Sequence, residues 1–161
     1  MGETDIGIYT RCNARVLDLT MAINCNTIKK TTKAKWRTKV IVKKLFELPM
    51  LSSLLNSEPE ILIKGLDISM ILDGKDLSDA DRHVCLSFKS VLCHKHTSER
   101  FTEEMYDAYD AVVEIVDSEW LIAMEKINKN DFDFWKPRHF AVYLEGIGLY
   151  QFIARSFEET V

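Results

Sequence analysis

The sequence predicts an α+β fold: a single domain over residues 1–161, with an N-terminal β-hairpin, central strands, one long acidic amphipathic helix and a C-terminal hairpin. Three observations lead there. Residues 16–25 and 35–44 alternate apolar with polar side chains at period two, the mark of half-buried strands. Residues 102–127 repeat apolar side chains at three- and four-residue steps, the mark of an amphipathic helix. The length of 161 residues, with 47% hydrophobic and 29% charged content, suits one soluble domain with its own core. A core of that size needs no disulfide or metal staple.

Residues 1–14 read as an edge segment or arm. In VLDLTMAINC, Leu17, Leu19, Met21, Ile23 and Cys25 share one face, with Asp18, Thr20 and Asn24 on the other. In KWRTKVIVKK, Lys35, Arg37, Lys39 and Lys43 share a face with Ile41, and Trp36, Thr38, Val40 and Val42 take the other. The polar, basic NTIKKTTKA joins the two. A long-looped hairpin with one apolar and one basic face follows.

LFELPMLSSLLNSEP predicts a short helix after Pro49. EILIKGLDISMILDG reads as one strand with Leu62, Leu66, Ile68, Met70 and Leu72 on its apolar face and Gly65 at a bulge. LDGKDLSDADR is turn chemistry. HVCLSFKSVLC alternates at Val84, Leu86 and Phe88 and favours a strand, with a helix from Ser78 as the competitor.

The long helix would run from about Thr102, its N-cap, to Ile127. Met105, Tyr109, Val112, Val116, Trp120, Ala123 and Ile127 would line its apolar face, and Asp117-Ser118 is a point where it could split. NKNDFDFWKP reads as a loop carrying aromatic residues. HFAVYLEGIGLYQFIARSF forms two alternating runs around Gly146-Ile147-Gly148, a second hairpin, with a terminal helix as the alternative.

Charge is the strongest functional signal. KKTTKAKWRTKVIVKK holds Lys29, Lys30, Lys33, Lys35, Arg37, Lys39, Lys43 and Lys44 and no carboxylate, a candidate surface for phosphate on nucleic acid or lipid. Its plainer reading is a solvated hairpin face whose lysines guard an edge. The span Glu99–Glu119 is acidic, with Glu103, Glu104, Asp107, Asp110 and Glu114 as candidate self-association residues. Basic and acidic elements on one chain can pair head to tail between copies. The acidic face argues against plain nucleic-acid binding.

Phe132, Phe134 and Trp135 cluster in a polar context, and either fold under the domain or meet a protein partner. CLSFKSVLCHKH gathers Cys85, Cys93, His94 and His96, which are zinc-type ligands, but the spacing lacks a Cys-x2-Cys knuckle, and His94 and His96 would point away from Cys93 on a strand. Reduced thiols and exposed imidazoles are the plainer reading, so no metal or other cofactor is expected. No phosphate loop, HExxH or GxSxG occurs. Asp131 and Asp133 stand near His139 in sequence, with nothing to pair them as acid and base.

The segments DIGIYTRCNARVLDLTMAI and HFAVYLEGIGLYQFIARSF, in the order hairpin, strands, acidic helix, hairpin, resemble the compact matrix proteins of rhabdoviruses in architecture. The basic tail and proline-rich budding motifs of that family are absent. The resemblance implies a self-associating structural protein that links a nucleocapsid to a membrane, and it carries over no catalytic residue.

The functional expectation is therefore a non-enzymatic, homo-oligomeric structural protein with no small-molecule substrate. Its basic hairpin would engage an anionic surface, RNA in a nucleocapsid or a membrane. The alternative is a protein-binding module that docks through the acidic helix or the Phe132/Trp135 loop. An intracellular setting, cytoplasmic, membrane-peripheral or virion, is expected. No apolar run is long enough to span a bilayer, no secretory h-region is seen, and Ile6 sits where a myristoylation signal wants Ser or Thr.

Overall fold

The computed structural model describes residues 41–102 and 105–161, which fall within the compact unit Arg37–Val161. The α+β expectation is overturned. Strands take up 51% of the structure and helical turns 21%, and the strands form two antiparallel sheets.

The strands are β1 (Val42–Glu47), β2 (Glu60–Lys64), β3 (Asp67–Lys75), β4 (Asp81–Lys89), β5 (Cys93–Ser98), β6 (Ala111–Ile115), β7 (Arg138–Leu144), β8 (Gly148–Ala154) and β9 (Ser156–Thr160). Two short helices, α1 (Glu119–Ile127) and α2 (Lys129–Trp135), lie between β6 and β7. One sheet has the order β1-β6-β7-β8-β5 and the other β2-β3-β4-β9.

Aromatic side chains join the two sheets. Phe88 of β4 stacks on Phe152 of β8 with ring centroids 3.9 Å apart, and Phe157 of β9 meets both Phe88 and Phe140. Phe88, Phe140 and Phe152 are each at most 1% exposed. Alternation explains the four-stranded sheet: Ile68, Met70 and Leu72 on β3 and Val84, Leu86 and Phe88 on β4 all point inward. The strand reading of residues around 84–88 and the hairpin at Gly146–Gly148 both hold.

β7 does not alternate between wet and dry, because the five-stranded sheet is covered on both faces. Phe140, Val142 and Leu144 face the other sheet. Ala141 and Tyr143 pack in a second cluster with Ala108, Val113, Ile115 and Leu149.

The long helix over residues 102–127 does not form. Its span holds a 3-10 turn at Tyr106–Ala108, then β6, and only then α1. Val112 is buried and Val116 is 53% exposed, so the two do not share a helix face. The run AVVEI is rich in β-branched residues and buried on both sides, and such a run fits the three-and-four spacing by coincidence. Ser118 is the true N-cap, accepting the N–H of Leu121.

Three smaller expectations also change. EILIKGLDISMILDG is a hairpin: Gly65, at φ +62°, starts the two-residue turn between β2 and β3 and is no bulge. Leu62 and Leu66 are consequently exposed. NKNDFDFWKP is helix α2, capped by the Asn128 side chain on the N–H of Asp131 and ended by Lys136 in the left-handed region before Pro137. Only a 3-10 turn, Ser52–Leu54, follows Pro49.

Candidate functional site

α1 and α2 lie on the surface with no residue fully buried. They nevertheless carry large apolar groups. Ile122 is 50%, Ile127 84% and Phe134 71% exposed. Leu92, Met124, Ile127, Phe132 and Trp135 line a cleft of about 230 Å³, and Asn128 and Asp131 are the polar residues of its lining. Trp135 meets Phe134 edge to face at 5.6 Å. The aromatic trio expected from the sequence is thus brought together, and it does not join either core cluster.

Beneath α1 lies a buried polar chain. His139 Nδ1 is 2.7 Å from Ser118 Oγ, and Nε2 is 3.0 Å from Gln151 Oε1. Ser118, His139 and Gln151 are all buried. A neutral imidazole satisfies every partner: Nε2–H donates to Gln151, Nδ1 accepts the Ser118 hydroxyl, and that oxygen accepts the Leu121 N–H. Burial pushes His139 down to about 4, with Lys95 adding to the effect and the Gln151 bond opposing it.

A hydroxyl bonded to imidazole is the start of an activated nucleophile. Here it is only 4% exposed and is not among the groups lining the cleft. Trp120 and His139 meet edge to face with ring centroids 5.3 Å apart, and Lys95 Nζ sits 4.6 Å from the Trp120 ring centre. The chain therefore fixes the start of α1 on the five-stranded sheet, and so positions one wall of the cleft. The Cys93 thiol, 3.6 Å from the Met124 sulfur, buttresses the same wall, and burial raises its pKa.

The other sequence candidates disperse. Among the basic residues, Lys29, Lys30, Lys33, Lys35, Arg37 and Lys39 lie outside the described residues. Lys43 and Lys44 are exposed on β1, where Lys44 pairs with Glu47 and Lys43 stands opposite Glu114. Glu103 and Glu104 also lie outside the described residues.

Asp107 is exposed, but Asp110 and Glu114 are engaged at home. Asp110 Oδ1 accepts the Ser52 N–H at 2.9 Å, and Glu114 takes both Nε and Nη2 of Arg138, which holds its carboxyl below the usual range. Cys85 sits on the four-stranded sheet and Cys93 on the five-stranded one, while His94 and His96 stack on Phe152 and Tyr150. No metal-ligating group forms among the described residues.

Sequence reasoning missed the Ser118–His139–Gln151 chain. Its one available signal was a histidine inside the apolar run HFAVYL. It also missed Leu92, which lies between β4 and β5, and Met124 as cleft walls, and it placed Ile127 on the apolar face of the expected long helix.

Comparison with protein-family models, curated proteins and solved structures yields no significant match. No helix among the described residues is long and apolar enough to cross a membrane.

Proposed function

We propose that this protein is a non-enzymatic binding module whose α1–α2 cleft docks an apolar segment of a partner protein. The observation that carries the reading is a helical pair with no buried residue that gathers Phe132, Trp135, Met124 and Ile127 around one opening. Aromatic and methionine side chains of this kind are enriched at interface centres. The cleft, about 230 Å³, falls below the roughly 300–1,000 Å³ of small-molecule sites. It is comparable with the ~150 Å³ cavities that take one benzene ring. One bulky side chain of a peptide therefore fits it better than a cofactor. Asp131 in the lining favours a basic residue beside that anchor.

The test is selection of peptides against the folded protein, followed by NMR mapping. Enriched peptides should share one large apolar residue and shift the Leu92, Met124 and Trp135 signals. Trp135→Ala should weaken them about tenfold or more. Peptides that bind with shifts elsewhere, or bind Trp135→Ala equally well, overturn the reading.

A further inference from the structure

The two sheets leave four edge strands among the described residues: β1, β5, β2 and β9. An edge presents open N–H and C=O groups and invites pairing, which proteins discourage with charges and bulges. Three of these edges are guarded. β1 carries Lys43 and Lys44 and a bulge between Lys44 and Phe46. β5 carries His94, Lys95 and His96, and β9 carries Glu158 and Glu159.

β2 is the exception. Its sequence is Glu60-Ile61-Leu62-Ile63-Lys64, and its register with β3 is unbroken. Leu62 is 37% and Ile63 59% exposed, and Leu66 at the adjoining turn is 53% exposed.

We propose that β2 pairs with β2 of a second copy, antiparallel, about a twofold axis at Leu62. The strand is complementary to itself in that arrangement. Glu60 faces Lys64 of the second copy, Ile61 faces Ile63, and Leu62 faces Leu62. Both charged ends form opposite-sign cross-strand pairs, a favourable pattern on a sheet face. An isologous contact of this type closes on itself, so it gives a dimer and no filament.

The backbone phase agrees. The turn at Gly65-Leu66 closes on the pair Lys64 and Asp67. A two-residue hairpin closes on a hydrogen-bonded pair, so Lys64, Leu62 and Glu60 direct their N–H and C=O to β3. Ile61 and Ile63 then aim theirs outward. Those two residues oppose each other across the proposed axis, which makes both of their pairs hydrogen-bonded. Leu62 meets its counterpart at a non-bonded position, where Cα atoms approach to about 4.5 Å and side chains lie closest.

The side chains agree as well. Ile61 and Ile63 stand opposite Met70 and Ile68, so they share the core-facing side. Among the described residues the sheet stops at β2, and Ile63 is exposed there. Pairing sets the second copy's Ile61 beside it and extends the core face across the join.

A contact of one short strand lies below about 1,200 Å² and dissociates on dilution. The test is sedimentation equilibrium of the full chain from about 1 µM to about 1 mM. The wild type should pass from monomer to dimer. Lys64→Glu and Glu60→Lys should each place like charges in both symmetric pairs and weaken the dimer about tenfold. An equimolar mixture of the two variants should form a one-to-one heterodimer. Ile63→Lys, at an exposed position, should be monomeric and keep the wild-type melting curve.

A wild type that stays monomeric throughout overturns the proposal. So do single-charge variants that dimerise like the wild type, or a mixture that is no tighter than its components. If Lys64→Glu fails to fold because of Asp67 across its own hairpin, a dimeric Ile63→Lys protein overturns the proposal by itself.

Discussion

The Ser118 hydroxyl lies 2.7 Å from Nδ1 of His139 while it accepts the N–H of Leu121, so one oxygen ties the first turn of α1 to the five-stranded sheet. Ser118→Ala removes a helix cap, worth about 1 kcal/mol, and leaves a buried imidazole nitrogen without its donor, worth about 1–3 more. A loss of roughly 2–4 kcal/mol is expected in urea unfolding. If the loss stays under about 0.5 kcal/mol, the oxygen is not a structural tie.

The same histidine sets a pH dependence. Its folded value is lowered to about 4 from an ordinary 6.5, so the unfolded chain takes up the proton first. The contribution is fully present above pH 6.5 and is lost as pH falls from 6.5 towards 4. By pH 4 the loss amounts to about 3 kcal/mol, since each pKa unit is about 1.4 kcal/mol. Unfolding free energies from urea titrations across pH 4–8 should fall between pH 6.5 and pH 4 by about 3 kcal/mol more in the wild type than in His139→Gln. Parallel curves would remove His139 from the account.

The inter-sheet aromatic stack should dominate mutational stability. Phe88 is fully buried and stacked on Phe152. Phe88→Ala should cost about 3–5 kcal/mol. Phe134, exposed on α2, should cost under about 0.5 kcal/mol when truncated to alanine, and any effect of that change should appear in partner binding instead. Thermal denaturation of both variants reads the contrast directly.

Gly148 opens β8 at φ +130°, where a Cβ would overlap the carbonyl oxygen of Thr97 on β5. Gly148→Ala should therefore open the β8–β5 pairing from that end, with a loss of about 2 kcal/mol or more. Gly146→Ala, at φ +76° with open space around it, should cost only the backbone strain of about 1 kcal/mol. Hydrogen exchange at Thr97–Glu99 would distinguish the two, being faster only in the Gly148 variant.

Strands with one wet face were readable from the sequence. Val84, Leu86 and Phe88 alternate cleanly, and so does the part of β3 from Ile68 to Leu72. The turn at Gly146–Gly148 was readable from its glycines. What escaped detection was burial on both faces. β6 has Glu114 as its one polar residue and no alternation to set its period, so its valines matched a helix as well as a strand.

The charges misled for a related reason. Asp110 looks like part of an acidic face, but it sits at a left-handed turn residue and serves Ser52 more than fifty positions upstream. Ser118, His139 and Gln151 come from three separate segments, and only the pairing of β7 with β8 and the seating of α1 on that sheet bring them together. Phe132 and Trp135 were visible as an unusual aromatic group, while the walls facing them came from Leu92 and α1.

β8 and β9 are separated by Arg155 alone, yet β8 belongs to one sheet and β9 to the other. Arg155 donates its N–H to Lys89, at the end of β4. On a ribosome, the hairpins β2-β3-β4 would emerge early and could pair locally, whereas β4 would receive its outer neighbour only after every strand of the opposite sheet had been made. The outer side of β4 is then a bare template for most of synthesis. The latecomer is delivered next to it by the strand just laid down, so closure of the second sheet is timed by completion of the first.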